Sequence, residues 1–260
     1  MIRPFLMLGL GWFGISTVLA GPWKEISRTV SGVSPVLIEK RVSNQSREVG
    51  LTLCQFSTSD FTLRVVDQGN SDSDRRFSHL RDAMEKTGCL AGVNGGFYGK
   101  DYRPLGLVVE NGQVISPYRN SSGGGVTSGV IWSGTGGIHI VRRGDFRSGP
   151  GVIQAIQTGP MLVWQGAIVN GLSSDNPRPR SFFLTDWKRN WMLGTSTSAT
   201  LAELAEILYS REAITEFATM RAINLDGGRS TGFYLRKEGG QALYKPEISR
   251  VRNFIGILPK

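Results

Sequence analysis

Cysteine and histidine are scarce in this chain of 260 residues, with two of each. A zinc centre needs about four such ligands at close spacing, and Cys54, Cys89, His79 and His139 show none. No nucleotide or flavin fingerprint stands between a strand and a helix, where it would work. Beyond residue 20 there is no apolar run of the roughly 20 residues that a membrane span requires. Acidic residues are outnumbered, 21 against 30 basic, and they form no clustered set of metal-binding carboxylates, which argues against a nuclease-like phosphodiesterase. Two cysteines permit at most one disulfide, Cys54 to Cys89, in an oxidising compartment, or else two separate buried thiols.

What is present is glycine. The chain has 34 of them, about twice the usual share of roughly 7%, scattered through short apolar runs as turns between many strands. Hydrophobic residues at 40% and charged residues at 20% describe a globular protein, and the length is enough for one large domain with a substantial core. Residues 1–20 read as a signal peptide: Arg3 is the basic start, an apolar centre follows, and Val18-Leu19-Ala20 is the cleavage point. The mature chain is expected to be a single domain, 21–260, exported to the periplasm or secreted and without a transmembrane span. Its net charge of +8, the formal +9 less Arg3, favours anionic partners without specifying a nucleic acid.

Taken in order, 23–35 reads as an irregular lead-in, and bounded apolar runs predict strands at 36–38, 49–54 and 61–66. Phe77, Leu80 and Met84 recur at helical spacing over 74–86, with His79 on that helix as a surface or packing residue. A buried strand from Cys89 to Val93 follows, then a polar flap at 100–103 and a hairpin at Asn111-Gly112. Ser121-Ser122-Gly123-Gly124-Gly125 reads as a mobile loop, because it lacks the Lys-Ser/Thr and the helix of a phosphate-binding loop. Hairpins then join 126–132 to 138–141, with His139 facing solvent or a partner strand, and 161–164 to 167–169. Strands follow at 181–185 and 191–194. Thr200 and Glu203 have capping-box spacing ahead of a Leu201, Leu204, Ala205, Leu208 stripe; a second helical piece is expected at 212–220, and strands close the chain. The class expected is α+β, with a many-stranded, largely antiparallel or mixed sheet system and a few helices.

Two turns stand apart from the ordinary hairpins. Val93-Asn94-Gly95-Gly96-Phe97-Tyr98 and Asn224-Leu225-Asp226-Gly227-Gly228-Arg229-Ser230-Thr231 each leave an apolar strand through an Asn/Asp-Gly-Gly sequence. Glycine pairs let a ligand approach the backbone closely. Together they read as two walls of one polar pocket.

Set beside Thr158-Gly159-Pro160 and Pro179-Arg180-Ser181, these two blocks resemble the signature of the phosphodiester glycosidase family. That family includes a lysosomal enzyme that removes N-acetylglucosamine from its phosphodiester on mannose, and many exported bacterial proteins. The likeness runs from about Val36 to Leu258. Two departures are Arg229, where the family often has a third glycine, and Ser181-Phe182-Phe183, where a glycine-containing strand is usual.

The resemblance implies a hydrolase acting on a sugar-1-phosphodiester in envelope or exopolysaccharide glycans. Its leaving group is a phosphate monoester, so one carboxylate can suffice where ordinary glycosidases use two. Asp226 is then nucleophile or base, Arg180 grips phosphate, and Gly95 and Gly96 offer N–H groups to phosphate or sugar. Asn94 and Asn224 fix hydroxyls or orient Asp226. Thr158, Gly159, Gly227, Gly228, Arg229, Ser230 and Thr231 complete the substrate-binding set. No cofactor is implied, although scattered carbonyls and carboxylates leave room for a structural calcium ion. The alternative is a non-catalytic module that binds anionic glycans in the same pocket.

Overall fold

The computed structural model describes residues 21–69, 75–120 and 125–260. The expected leader at 1–20, most of the glycine run at 121–125 and the first residue of the 74–86 helix lie outside the described residues.

Three antiparallel sheets share one buried cluster between them. The largest has eight strands, in spatial order Lys24–Ser31, Val36–Ser43, Glu48–Ser57, Asn190–Ala199, Arg178–Thr185, Arg221–Asn224, Met161–Trp164 and Ala167–Ile168. A five-stranded sheet runs Ala242–Lys245, Phe233–Arg236, Ala91–Asn94, Asn253–Pro259, Phe61–Asp67, and another runs Gln113–Ser116, Val108–Glu110, Gln154–Thr158, Gly129–Gly134, Gly137–Arg142. Leu37, Phe56, Val65, Val93, Ile131, Ile156 and Phe183, drawn from all three, pack in one buried cluster. The mostly antiparallel α+β architecture expected from the sequence is the one observed.

Strand Arg178–Thr185 shows how period-two alternation serves two cores. Phe183 enters the cluster shared by the sheets, while Phe182 and Leu184 pack on the opposite face with Leu204 and Ile207 of the Leu201–Tyr209 helix. That helix begins as its spacing predicts: the Thr200 hydroxyl accepts from Glu203 N at 3.1 Å, and Glu203 Oε2 accepts from Thr200 N at 2.8 Å. The other helix is shorter than expected, Leu80–Lys86, and His79 is its N-cap, its Nδ1 accepting from Asp82 N at 3.1 Å.

Two expectations fail for identifiable reasons. The lead-in at 23–35 contains a strand, Lys24–Ser31, which is a largely exposed sheet edge and so carries no apolar alternation to read. The piece at 212–220 is a series of turns. The buried ammonium of Lys40 takes the Ala213 carbonyl at 3.1 Å and Glu216 at 2.8 Å, so that carbonyl is directed at a side chain instead of along a helix. Cys54 lies in the shared core and Cys89 beneath the Leu80–Lys86 helix; both are free thiols, and no disulfide joins them. No helix among the described residues is long and apolar enough to cross a membrane.

Candidate active site

The two Gly-Gly turns leave strands of different sheets, Ala91–Asn94 and Arg221–Asn224, and meet. Asp226 N donates to Gly95 O at 3.0 Å, and Asn94 Nδ2 donates to Asp226 O at 2.7 Å. Asn94 is fully buried. Its Oδ1 accepts from the Ser181 hydroxyl and from Gly232 N, the latter at 3.2 Å. One amide side chain thus joins the Asp226 turn, the strand that carries Arg180 and the start of the next strand. Asn94 holds the main chain of the Asp226 turn.

The Asp226 carboxylate sits half-buried at this junction. Oδ1 accepts from Gly227 N at 2.8 Å, and the Ser230 hydroxyl is within hydrogen-bonding reach. Burial raises its pKa above the usual carboxylate range; Ser230, Gly227 and the Arg178 guanidinium pull the other way and do not cancel it. A carboxylate kept basic in this way suits proton abstraction or nucleophilic attack. Gly227 has a steric reason: an added Cβ would lie 2.9 Å from Pro179 O and 3.5 Å from Arg180 Cδ. The turn therefore rests directly on the arginine strand. Gly228 has φ +65° and opens the short helical turn Gly228–Ser230, with Arg229 exposed on it.

Arg180 is 7% exposed, with Nε donating to Ala199 O at 2.9 Å and Nη2 to Asn176 O at 3.2 Å. Half of the fork expected to grip phosphate is therefore committed to backbone, and Nη1 is the remaining end. No ion pair involves Arg180 among the described residues. Burial, then the charge of Arg178, draw its pKa down to about 10, so it stays cationic at neutral pH. A buried cation without a counter-ion is costly, and a bound anion would relieve it. Arg178, two residues away and exposed, is the cation that acts on Asp226.

The glycines of the first turn do not offer their amides to a ligand as expected. Gly95 N donates to Asn253 O at 2.8 Å and Gly96 N to Asn253 Oδ1 at 2.8 Å. Their smallness is still required, because a Cβ on Gly95 would fall 2.1 Å from Asn253 Oδ1. Thr158, Gly159 and Asn224 form a knot beneath the turn. Thr158 Oγ1 donates to Asn224 O at 3.1 Å and Asn224 Nδ2 to Gly159 O at 2.9 Å, and Thr158 and Asn224 are sealed from solvent. They hold the turn from below. Thr231 lies at the turn's end and helps line a hollow of about 150 Å³ with Pro179, Thr195, Gly232 and Lys245.

Three residues not singled out from the sequence belong here. Tyr98 is half-buried, its hydroxyl donating to Arg250 O and lying near Ser230; burial and then the Asp226 charge hold its pKa up, so the phenol stays protonated. Its adjacency to Asn94-Gly95-Gly96 was the available signal. Arg178 stands inside a Pro-Arg-Pro-Arg run and was equally visible. Asn253 reads only as the start of a closing strand. Among the described residues, no group of three or more His, Cys, Asp or Glu is placed to hold a metal ion.

Fold and junction together describe a class, and comparison with known proteins agrees with it. The chain belongs to the phosphodiester glycosidase family, whose model matches residues 87–258. Among solved structures it resembles a hypothetical protein from Synechocystis, with a TM-score of 0.64 at 16% identity, over 90% of this chain and 64% of that one. It also resembles the catalytic domain of zebrafish N-acetylglucosamine-1-phosphodiester alpha-N-acetylglucosaminidase, auto-inhibited by its pro-peptide, with a TM-score of 0.60 at 15% identity over 93% of this chain and 87% of that one. An uncharacterised Escherichia coli K12 protein, YigE, is 38% identical over 80 residues, 29% of this chain and 32% of that protein's length.

Proposed function

We propose that this protein hydrolyses a sugar-1-phosphodiester, of the N-acetylglucosamine-1-phosphodiester kind, in envelope or exopolysaccharide glycans. The observation that carries the reading is the half-buried Asp226, its turn fixed through Asn94, with Arg178 and Arg180 nearby and no ion pair to it among the described residues. In the proposed reaction the bond between the anomeric carbon and the ester oxygen breaks, and the phosphate monoester leaves with the electron pair. Asp226 either takes the proton of the attacking water or attacks the carbon itself, the resulting ester then being hydrolysed. Arg178 meets the phosphate from the exposed side, and the free end of Arg180 reinforces the positive field behind it. Tyr98, whose hydroxyl proton goes to Arg250 O, accepts a hydrogen bond from a sugar hydroxyl. The reaction needs no cofactor.

Under the same reading the protein is exported and cleaved after Ala20, and mass spectrometry of the exported chain should find Gly21 at its start. The chemistry is tested by hydrolysing a synthetic N-acetylglucosamine-1-phosphodiester in ¹⁸O-labelled water. Label on the anomeric oxygen of the sugar is expected. Label in the phosphate would make the protein a phosphodiesterase of another kind, and tight binding without any turnover would make it a glycan-binding module.

A further inference from the structure

Five residues along the strand from Arg180, about 16 Å away at strand rise, the chain turns between Thr185 and Asn190, and Trp187 stands on that turn. Its φ is +60°, a left-handed conformation that a bulky side chain rarely adopts and that Gly or Asn would take without strain. Asp186 imposes the turn, its carboxylate accepting from Lys188 N at 2.8 Å, Asn190 N at 3.1 Å and Asn190 Nδ2 at 2.6 Å. Trp187 is 41% exposed.

Behind Trp187 lies a stack of cations and rings. The Arg221 guanidinium is 3.1 Å from the Trp187 ring centroid and 4.3 Å from that of Trp164, which Arg142 approaches at 4.9 Å. His139 meets Trp187 edge-on at 6.0 Å and stacks on Trp132 at 4.3 Å. Trp132 and Trp164 are half-buried and engaged by these neighbours. Beside the exposed indole, Lys188 and Arg189 are exposed, and no ion pair involves Lys188, Arg189, Arg142 or Arg221 among the described residues. The acids that face the patch are Asp145, which interacts with Arg221, and Asp186, which is committed to its turn. The patch is therefore net cationic around one open aromatic face.

A stack whose only duty was packing would not need an exposed tryptophan in a strained conformation, and strain of this kind gathers where a side chain is presented for use. We infer that Trp187, Lys188 and Arg189 form a second binding site, remote from Asp226, for an anionic glycan chain. The indole packs on the apolar face of a sugar ring, and the cations meet its carboxylate or phosphate groups. Single-stranded nucleic acid fits less well, since it calls for successive open ring faces, and here the inner rings are covered. The site would hold a polymer while its phosphodiesters reach the Asp226 turn, but its binding can be read without any turnover.

The test is calorimetric titration of the full mature chain with polygalacturonate, neutral dextran and oligothymidylate. Polygalacturonate should bind in a salt-sensitive way, with dextran and oligothymidylate at least about tenfold weaker. Trp187→Gly, which accepts φ +60° freely, should lose at least about tenfold in polygalacturonate affinity. The double variant Lys188→Glu, Arg189→Glu alters only exposed side chains and should lose as much, while hydrolysis of a small diester stays at the wild-type rate. Unaltered polygalacturonate affinity in the charge-reversed protein overturns the proposal whatever Trp187→Gly does to folding. So does wild-type protein that ignores polygalacturonate, or that binds oligothymidylate as well.

Discussion

Asp67 and Asp226 are both carboxylates whose pKa burial pushes upward, and both lie near arginines, yet their surroundings are completed differently. Arg252 grips Asp67 side-on, Nε to Oδ1 at 3.0 Å and Nη2 to Oδ2 at 2.9 Å, and Gly69 N adds a bond at 3.0 Å. The two side chains are 1% and 6% exposed. Asp226 receives one backbone N–H and a hydroxyl, while the nearby Arg180 donates to carbonyls. The first pair uses its hydrogen-bonding capacity internally and fixes structure; the second set leaves capacity unused beside a surface, which is what a substrate needs. The two are mechanically linked, because Arg252 precedes Asn253, whose carbonyl and side chain hold Gly95 and Gly96.

The comparison is broken most forcefully at the closed pair. Asp67→Ala removes the carboxylate that two nitrogens of the buried Arg252 grip and should cost about 3–5 kcal/mol of stability, measured by urea unfolding, with little change in kcat for the folded fraction. A loss of turnover without a loss of stability would put Asp67 in the chemistry. At the open set, Arg178→Ala removes the exposed guanidinium that meets the phosphate, and Arg180→Lys loses the backbone bonds that aim the free nitrogen, so each should weaken binding of a sugar-1-phosphodiester by about tenfold. Arg180→Lys should lower turnover as well. Unchanged KM in both would remove the arginines from substrate binding.

Smaller effects follow from protonation. Ionised Asp226 is disfavoured by folding, because its folded pKa is raised. The resulting destabilisation is absent below the unfolded value of about 3.9 and full above the folded one. Asp226→Asn should therefore raise Tm at pH 7, with the gain disappearing as the pH falls towards 4. An equal gain at both pH values would mean that charge is not its source. For activity, the acidic limb of kcat/KM should lie above the ordinary carboxylate range, and Arg178→Ala should move it higher still, by removing a charge that favours ionisation.

Local signals in the sequence were reliable wherever the interaction itself is local. Thr200 and Glu203 of the capping box are three positions apart, and the Asn94 and Asp226 turns announce themselves by adjacent glycines. Gly96 and Asn253 are separated by 157 residues, and nothing near either names the other. The same holds for Lys40, which donates to the Ala213 carbonyl across 173 residues, within the stretch where the local pattern predicted a helix. Roles inferred for the glycine amides failed for this reason: the turn was legible, but the partner already bonded to it was not.

The central claim is that Asp226 does chemistry while its neighbours bind. It is tested most directly by steady-state hydrolysis of a synthetic N-acetylglucosamine-1-phosphodiester by wild-type and Asp226→Asn protein, with calorimetric affinity measured for the inactive variant. The amide keeps the shape of the side chain but can act neither as nucleophile nor as base. Turnover should fall by at least about a thousandfold while affinity stays within a few-fold of the wild-type value; full activity in Asp226→Asn would contradict the mechanism outright.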